Sequence, residues 1–240
     1  MLTAGVAGIA LAALVLVLSV VGVWAALDRR PDAGILRLGC ALAGSAVFAL
    51  IALEAQRRDR PNPVLLFDLF ARDGLLGAAA ARSWRPIARA VSRLTGEGLA
   101  AVVGLAALAL ALARRRRDAA VVLVGASSAW AVSGLLKLGF GVPRPRARIP
   151  WDLFSSFGFP SGHALVTLSA CGLLAWSVAR GAGGGARLAL GLACVVIALA
   201  AGAARVVLNA HWPSDILGGL VFGAAWLNLV TLVAARGDTR

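Results

Sequence analysis

The sequence predicts an all-α protein, a polytopic membrane bundle of about seven transmembrane helices. Three observations carry this expectation. Hydrophobic residues make up 60% of the 240 positions and charged residues only 15%, far from the balance of a soluble domain. The mean hydropathy is +0.86. Cutting the chain at its charged residues leaves seven long uncharged runs, at 1–27, 38–53, 98–113, 119–136, 153–179, 188–204 and 216–235. Most are near the roughly 20 residues that a helix needs to cross hydrocarbon. No period-2 alternation marks barrel strands, and in lipid each backbone donor and acceptor must be satisfied internally, so the runs are read as helices. Intrinsic disorder, a disulfide scaffold and a soluble enzyme fit this composition poorly.

Each run has its own justification. Run 1–27 opens on Met1-Leu2-Thr3 without a basic residue and exceeds the roughly 7–15 apolar residues of a signal core, so it is read as a retained span. Arg29-Arg30 and Pro31 separate it from 38–53. Segment 54–97 mixes apolar residues with charge, Asp68 within Val64 to Phe70 and arginines within Ile87 to Leu94, a pattern for amphipathic helices lying in the interface. Run 98–113 stops at Arg114-Arg115-Arg116-Arg117, and 119–136 stops at Lys137. Pro160 lies near the front of the fifth run, which places its helix at about 162–179. Gly181 to Gly185 is a flexible connection that lacks the Lys-Ser/Thr of a nucleotide loop. Run 188–204 follows, and Pro213 precedes 216–235. Residues 1–240 are read as a single membrane-embedded domain.

Single crossings put Arg29-Arg30, the arginine tetrad at 114–117 and Gly181 to Gly185 on one face, and 54–97, 137–162 and 205–215 on the other. A tetrad in a short loop marks the first face as cytoplasmic. Against this, 54–97 carries Arg57, Arg58, Arg60, Arg72, Arg82, Arg85, Arg89 and Arg93 on the outer side. Of 24 basic residues only Lys137 is lysine, and the net charge is +13. Because the arginines fall between the apolar runs, they read as anchors to anionic headgroups of the bilayer rather than as a nucleic-acid surface. Cys40, Cys171 and Cys194 form no C-x-x-C pair and read as small core residues.

Rare polar types converge on the second face. Lys137 stands six residues before Arg144-Pro145; Pro160-Ser161-Gly162-His163 opens a helix; Arg205 precedes His211 by five residues, and Asp215 follows after three more. Lys137 ends one span, His163 opens the next, Arg205 ends the span after, and Asp215 precedes the last. One membrane surface therefore receives all four, and residues 138–160 are long enough to fold back over it. Three cations, Lys137, Arg144 and Arg205, beside hydrocarbon are costly unless an anion sits among them, and phosphate is the natural one. Ser161 as N-cap and Gly162 behind it expose helix-terminal amides, an anion seat. His211 and Asp215, four apart, share a helical face on which the carboxylate can hold one ring N–H and leave the other nitrogen free to attack.

These three patterns, K-x6-R-P, P-S-G-H and R-x5-H-x3-D, resemble the signature motifs of the phosphatidic acid phosphatase type 2 superfamily of membrane phosphatases. The resemblance covers 137–215 in motifs and about 97–236 in helix order, which makes 97–236 the catalytic core region and 1–27 a helix additional to a six-helix core. It implies His211 as nucleophile through a phosphohistidine, Asp215 as its orienting partner and His163 as the acid for the departing alkoxide or phosphate. Lys137, Arg144, Arg205 and the amides around Ser161 and Gly162 would hold the phosphate oxygens. It implies no metal and no cofactor. One departure stands out: the third motif usually begins Ser-Arg, and here Ala204 precedes Arg205, which removes a hydroxyl near the phosphate.

Taken singly, each residue has a plainer reading. A lone membrane histidine is ordinarily a packing residue, Lys137 a snorkelling end residue, Asp215 a helix cap, Trp151 and Trp212 members of the aromatic belt, and Arg146 and Arg148 loop charges. Asp152 and Glu97 fall on the same face without a spacing that assigns them chemistry. Found together, the motifs favour an integral membrane phosphatase acting on a lipid phosphate or pyrophosphate of the undecaprenyl pyrophosphate, phosphatidic acid or phosphatidylglycerol phosphate class. The expected setting is a bacterial cytoplasmic membrane with the site on the extracytoplasmic side. A lipid phosphotransferase using the same site, or a non-enzymatic anionic-lipid transporter, is the alternative.

Overall fold

The computed structural model describes residues 2–28, 30, 33–59, 62–76, 78–145, 157–179 and 181–236. Arg29, Arg146, Arg148, Trp151 and Asp152 lie outside the described residues. The described chain forms nine α-helices and one π turn: α1 (Leu2–Leu27), α2 (Ala33–Gln56), α3 (Pro63–Leu76), α4 (Ala78–Arg93), the π turn (Leu94–Gly98), α5 (Leu99–Leu112), α6 (Arg116–Phe140), α7 (Gly162–Val178), α8 (Gly184–Val207) and α9 (Pro213–Arg236). Pro63 and Pro213 occupy first helical positions, where the missing amide has no intrahelical partner to lose. Gly141, at φ +62°, ends α6 and donates its amide to Lys137 O.

Each uncharged run of the sequence contributes a helix among the described residues. Among the described residues, six segments are long and apolar enough to cross a membrane: Val6–Leu27, Ala33–Gln56, Ser83–Leu112, Arg116–Phe140, Gly184–Val207 and Pro213–Ala235. α7 is a shorter apolar helix of 17 residues that starts at Gly162, as Pro160 predicts. The chain is an integral membrane protein. The amphipathic segment resolves into α3 and α4, and α4 runs through the π turn into α5.

α9 forms the centre of the bundle and packs against α2, α7 and α1. Glycines set how closely it lies. A Cβ on Gly219 would stand 2.7 Å from Ser161 O, and one on Gly223 would stand 2.8 Å from Leu165 O, so the backbones of α9 and α7 meet directly. Below the site, Phe48 packs on Phe159 and Phe222 with ring centroids 5.3 and 4.7 Å away, and Phe140 meets Phe159 edge-on at 5.7 Å. α1 is tied in rather than peripheral: Val15, Ser19 and Val23 are buried, and Asn228 Nδ2 of α9 donates to Gly22 O at 2.9 Å.

The two ends of the bundle differ in kind. At the end holding the arginine tetrad, Arg115 bonds Ser177 O and Asp118, and Arg117 bonds Ala234 O. Arg187 reaches Asp28 at 2.6 Å, and buried Arg37 donates to Thr231 O at 3.2 Å. These links stitch Asp28, Arg37, loop 113–115 and the start of α6 to the ends of α7 and α9 and the start of α8. All the motif residues lie at the opposite end.

Candidate active site

Four helix ends and a strap build the site. Lys137 sits in the last turn of α6. The chain then turns back, with Pro143 bridging Phe157 and Gly158 N donating to Val142 O at 2.8 Å, so both ends of the strap lie at the rim. Arg144 Nη1 donates to Ala210 O at 3.1 Å, which sets the guanidinium beside the His211 loop. Ser161 caps α7 by accepting from Ala164 N, and its own amide donates to Asp215 O at 2.9 Å. That bond pins the start of α7 to the start of α9. Gly162 leaves room for Lys137: a Cβ there would stand 3.7 Å from Lys137 Nζ and 3.1 Å from Ser133 Oγ.

His211, 2% exposed, has Nδ1 3.1 Å from Asp215 Oδ2. A carboxylate oxygen only accepts, so Nδ1 donates and Nε2 keeps its lone pair. The same Oδ2 accepts from Trp212 N at 2.9 Å. Asp215 therefore caps α9 and orients His211 with one oxygen, so the plainer and the chemical readings of this residue are both met. Its Oδ1 is buried with no hydrogen-bond partner among the described residues. Burial, followed by the charges of Lys137, Arg144, Arg205 and His163, holds the His211 imidazole well below its ordinary pKa. The ring is neutral at neutral pH, which is the state a nucleophile needs.

His163 stands one residue into α7. Its Nε2 lies 3.2 Å from Ser92 O and 3.2 Å from Ser92 Oγ, and Arg205 Nη1 donates to that same Oγ at 2.9 Å. Arg205, Lys137 and Arg144 all act electrostatically on His163. The motif residues that the sequence groups, Lys137, Arg144, Ser161, Gly162, His163, Arg205, His211 and Asp215, thus gather at one rim around the two imidazoles.

Residues 118–237, half of the 240, match the family described as PAP2 superfamily. The chain belongs to the PAP2 superfamily. It is 34% identical over 119 residues to decaprenylphosphoryl-5-phosphoribose phosphatase of Mycobacterium tuberculosis, covering 48% of this chain and 61% of that one. It is 40% identical over 81 residues to glucose-6-phosphatase 3 of Mus musculus, covering 29% and 22%. The chain therefore spans about three fifths and about a fifth of the length of these curated relatives. A transmembrane PAP2-type phosphatidylglycerolphosphate phosphatase from Bacillus subtilis shares the fold, with a TM-score of 0.64 at 20% identity over 83% of this chain and 95% of that one. That coverage exceeds the family-matched half, so the common architecture of this PAP2 protein extends to helices before α6.

Several residues at the PAP2 site carry no motif. Ser92 of α4 brings a hydroxyl that accepts from Arg205 Nη1 at 2.9 Å. Asp68 of α3 is fully buried and accepts from Ser214 N at 2.6 Å, Ser214 Oγ at 2.7 Å and Arg58 at 2.8 Å. It caps α9 from another helix. Trp212 differs from the belt residue that its type suggests. Arg58 and Arg72 lie over its ring at 4.6 and 5.3 Å, and its Nε1 donates to Pro143 O at 3.1 Å, so it clamps the strap to the His211 loop. Gly158 is required by crowding, since a Cβ there would stand 2.7 Å from Asp215 Oδ2.

Proposed function

We propose that this PAP2 protein is a lipid phosphatase that removes phosphate from a membrane lipid phosphate or diphosphate through a phosphohistidine on His211. The observation that carries the reading is the buried His211–Asp215 pair, whose neutral ring turns Nε2 toward a rim where Lys137, Arg144 and Arg205 gather. Three cations and the amides at the start of α7 would bind the equatorial oxygens of the phosphoryl group and stabilise charge on it in flight. No metal is required in this scheme, because these side chains supply the positive charge.

In the first step His211 Nε2 bonds to phosphorus, the bond from phosphorus to the lipid oxygen breaks, and His163, protonated on Nδ1 once the anionic substrate offsets the cations around it, gives that proton to the leaving oxygen. In the second step water attacks the phosphohistidine and passes a proton to His163 Nδ1, releasing inorganic phosphate and restoring His211. The names of the relatives, a decaprenylphosphoryl-sugar phosphatase and a phosphatidylglycerolphosphate phosphatase, support substrates of the undecaprenyl pyrophosphate, phosphatidic acid or phosphatidylglycerol phosphate class. The arginine tetrad at the far end supports a site facing the extracytoplasmic side.

The test is phosphate release from a panel of lipid phosphates in detergent, with and without chelator. His211→Ala is expected to lower kcat/KM by at least roughly 10³-fold while substrate binding survives, as loss of a covalent nucleophile requires. Unchanged turnover in that variant would refute the mechanism, and loss of wild-type activity in chelator would refute its metal independence.

A further inference from the structure

Resting on this phosphatase reading, we infer that Ser92 is a positioning residue for the reaction, joining Arg205 to His163 and holding His163 with Nδ1 turned toward the leaving group. Ser92 lies on α4, outside the three motifs and outside residues 118–237 that match the family. It is buried, whereas Arg89, Ala90 and Arg93 around it on the same helix are exposed, so the hydroxyl is aimed inward. The π turn begins two residues later and brings Gly96 so near that a Cβ there would stand 3.5 Å from His163 Nε2. Wide turns of this kind recur at functional sites.

The bonding pattern dictates the tautomer. The Ser92 carbonyl can only accept, so the 3.2 Å contact requires a proton on Nε2. Arg205 fills one lone pair of Ser92 Oγ, and the other faces Nε2 at 3.2 Å. Both oxygens of Ser92 therefore favour Nε2–H in the imidazolium and in the neutral ring. When His163 gives its Nδ1 proton to the departing alkoxide, it is left as the Nε2–H form with Nδ1 already placed to take a proton from the attacking water. One proton leaves Nδ1 and one returns, with no change of tautomer between steps. The other charged groups acting on His163 are Lys137 of α6 and Arg144 of the strap, and His211 faces it from the α8–α9 loop. Ser92 in addition ties acid–base orientation to phosphate capture, since a guanidinium proposed to hold the phosphoryl oxygens is bonded to the same hydroxyl.

A leaving-group comparison separates this role from a merely structural one. Ser92→Ala and the near-isosteric pair Ser92→Thr and Ser92→Val are assayed for kcat/KM on an alkyl lipid phosphate and on nitrophenyl phosphate, beside His163→Ala. An alkoxide needs the proton from His163 and a nitrophenolate does not. Ser92→Ala is expected to lose about tenfold on the alkyl phosphate, less than the full worth of general-acid catalysis because the carbonyl contact remains, and about twofold or less on nitrophenyl phosphate. Threonine should restore most of the alkyl activity and valine should not, and the alkyl-to-nitrophenyl ratio is read within each variant so that the folded fraction cancels. Equal losses on both substrates, equal behaviour of threonine and valine, or wild-type rates in Ser92→Ala would overturn the assignment while leaving the phosphatase reading intact. Absence of phosphate release by the wild-type protein would overturn both.

Discussion

α6 to α9 bring to the site eight residues concentrated in three short motifs, whereas α2 to α4 reach the same rim through single residues, Arg58, Asp68 and Ser92, with no motif around them. Packing differs in the same sense. In the most apolar 18-residue stretch of α9, 67% of residues are buried inside the protein, against 11% in that of the Ser83–Leu112 span. The His211–Asp215 pair sits at the start of a crowded helix that meets α7 through glycine, while Ser92 comes from a helix whose neighbouring residues Arg89, Ala90 and Arg93 are exposed. A chemical role constrains residue type and spacing together. An orienting role requires only one hydroxyl or carboxylate at one point, delivered from any element that passes nearby.

The sharpest way to break this division is to remove the largest orienting group. Asp68→Ala leaves the Ser214 amide and hydroxyl without their acceptor and Arg58 without its carboxylate, in a buried setting. Removing one partner of such a pair costs about 3 kcal/mol or more. The expected result is a marked fall in melting temperature in detergent together with a loss of activity larger than that of Asp68→Asn, which keeps an acceptor for the amide. A melting temperature and activity equal to wild type would show that the α2–α4 wall is decoration and that α9 holds His211 unaided.

Why the motif wall is legible in sequence and the other is not follows from these contacts. Lys137, Arg144, His163, Arg205, His211 and Asp215 are rare types in an apolar chain, and crossing parity alone assigns them to one face. The apolar runs are legible for a related reason, because charge is excluded from hydrocarbon. Ser92 gives a weaker signal. It stands with Ala88 on the inward side of an amphipathic helix, one serine among many, and only the approach of α8 and α7 shows what it meets. Asp68 and Arg58 read as interfacial charges until α3 is seen to lie over the start of α9. Trp212 reads as a belt residue until its two arginine neighbours are placed.

Gly158 sharpens the comparison from the other side, since it lies between two motifs and belongs to neither. Gly158→Ala would push a methyl to within 2.7 Å of Asp215 Oδ2 and 3.5 Å of Arg144 Cγ. Both neighbours are held, the carboxylate by Trp212 N and His211 and the guanidinium by Ala210 O, so the strain cannot be relieved by one flexible tip. Overpacking of this kind costs about 2 kcal/mol. The kcat should drop more than the melting temperature suggests, because the displaced atom is the one that orients His211. Wild-type kcat in this variant would mean that the strap yields and that Asp215 is not fixed by it.

The smallest effect is a matter of pH and depends on the crowding of cations that the motif wall creates. His211 has its folded pKa held below the ordinary value of 6.5, by burial first and by Lys137, Arg144, Arg205 and His163 after it. Between that lowered value and 6.5 the unfolded chain binds more protons than the folded protein, so this residue's contribution makes stability fall as pH drops below about 6.5 and leaves it flat above. The nucleophile behaves oppositely to an exposed histidine: its lone pair stays free through the same window. The acid limb of kcat/KM, corrected for ionisation of the substrate, is therefore expected below pH 6.5, and it should move up toward that value when Lys137→Met or Arg144→Met removes a neighbouring charge. A limb already at 6.5 in the wild type, unmoved by either substitution, would mean that the cations do not act on His211, and the electrostatic half of the contrast between the walls would fail.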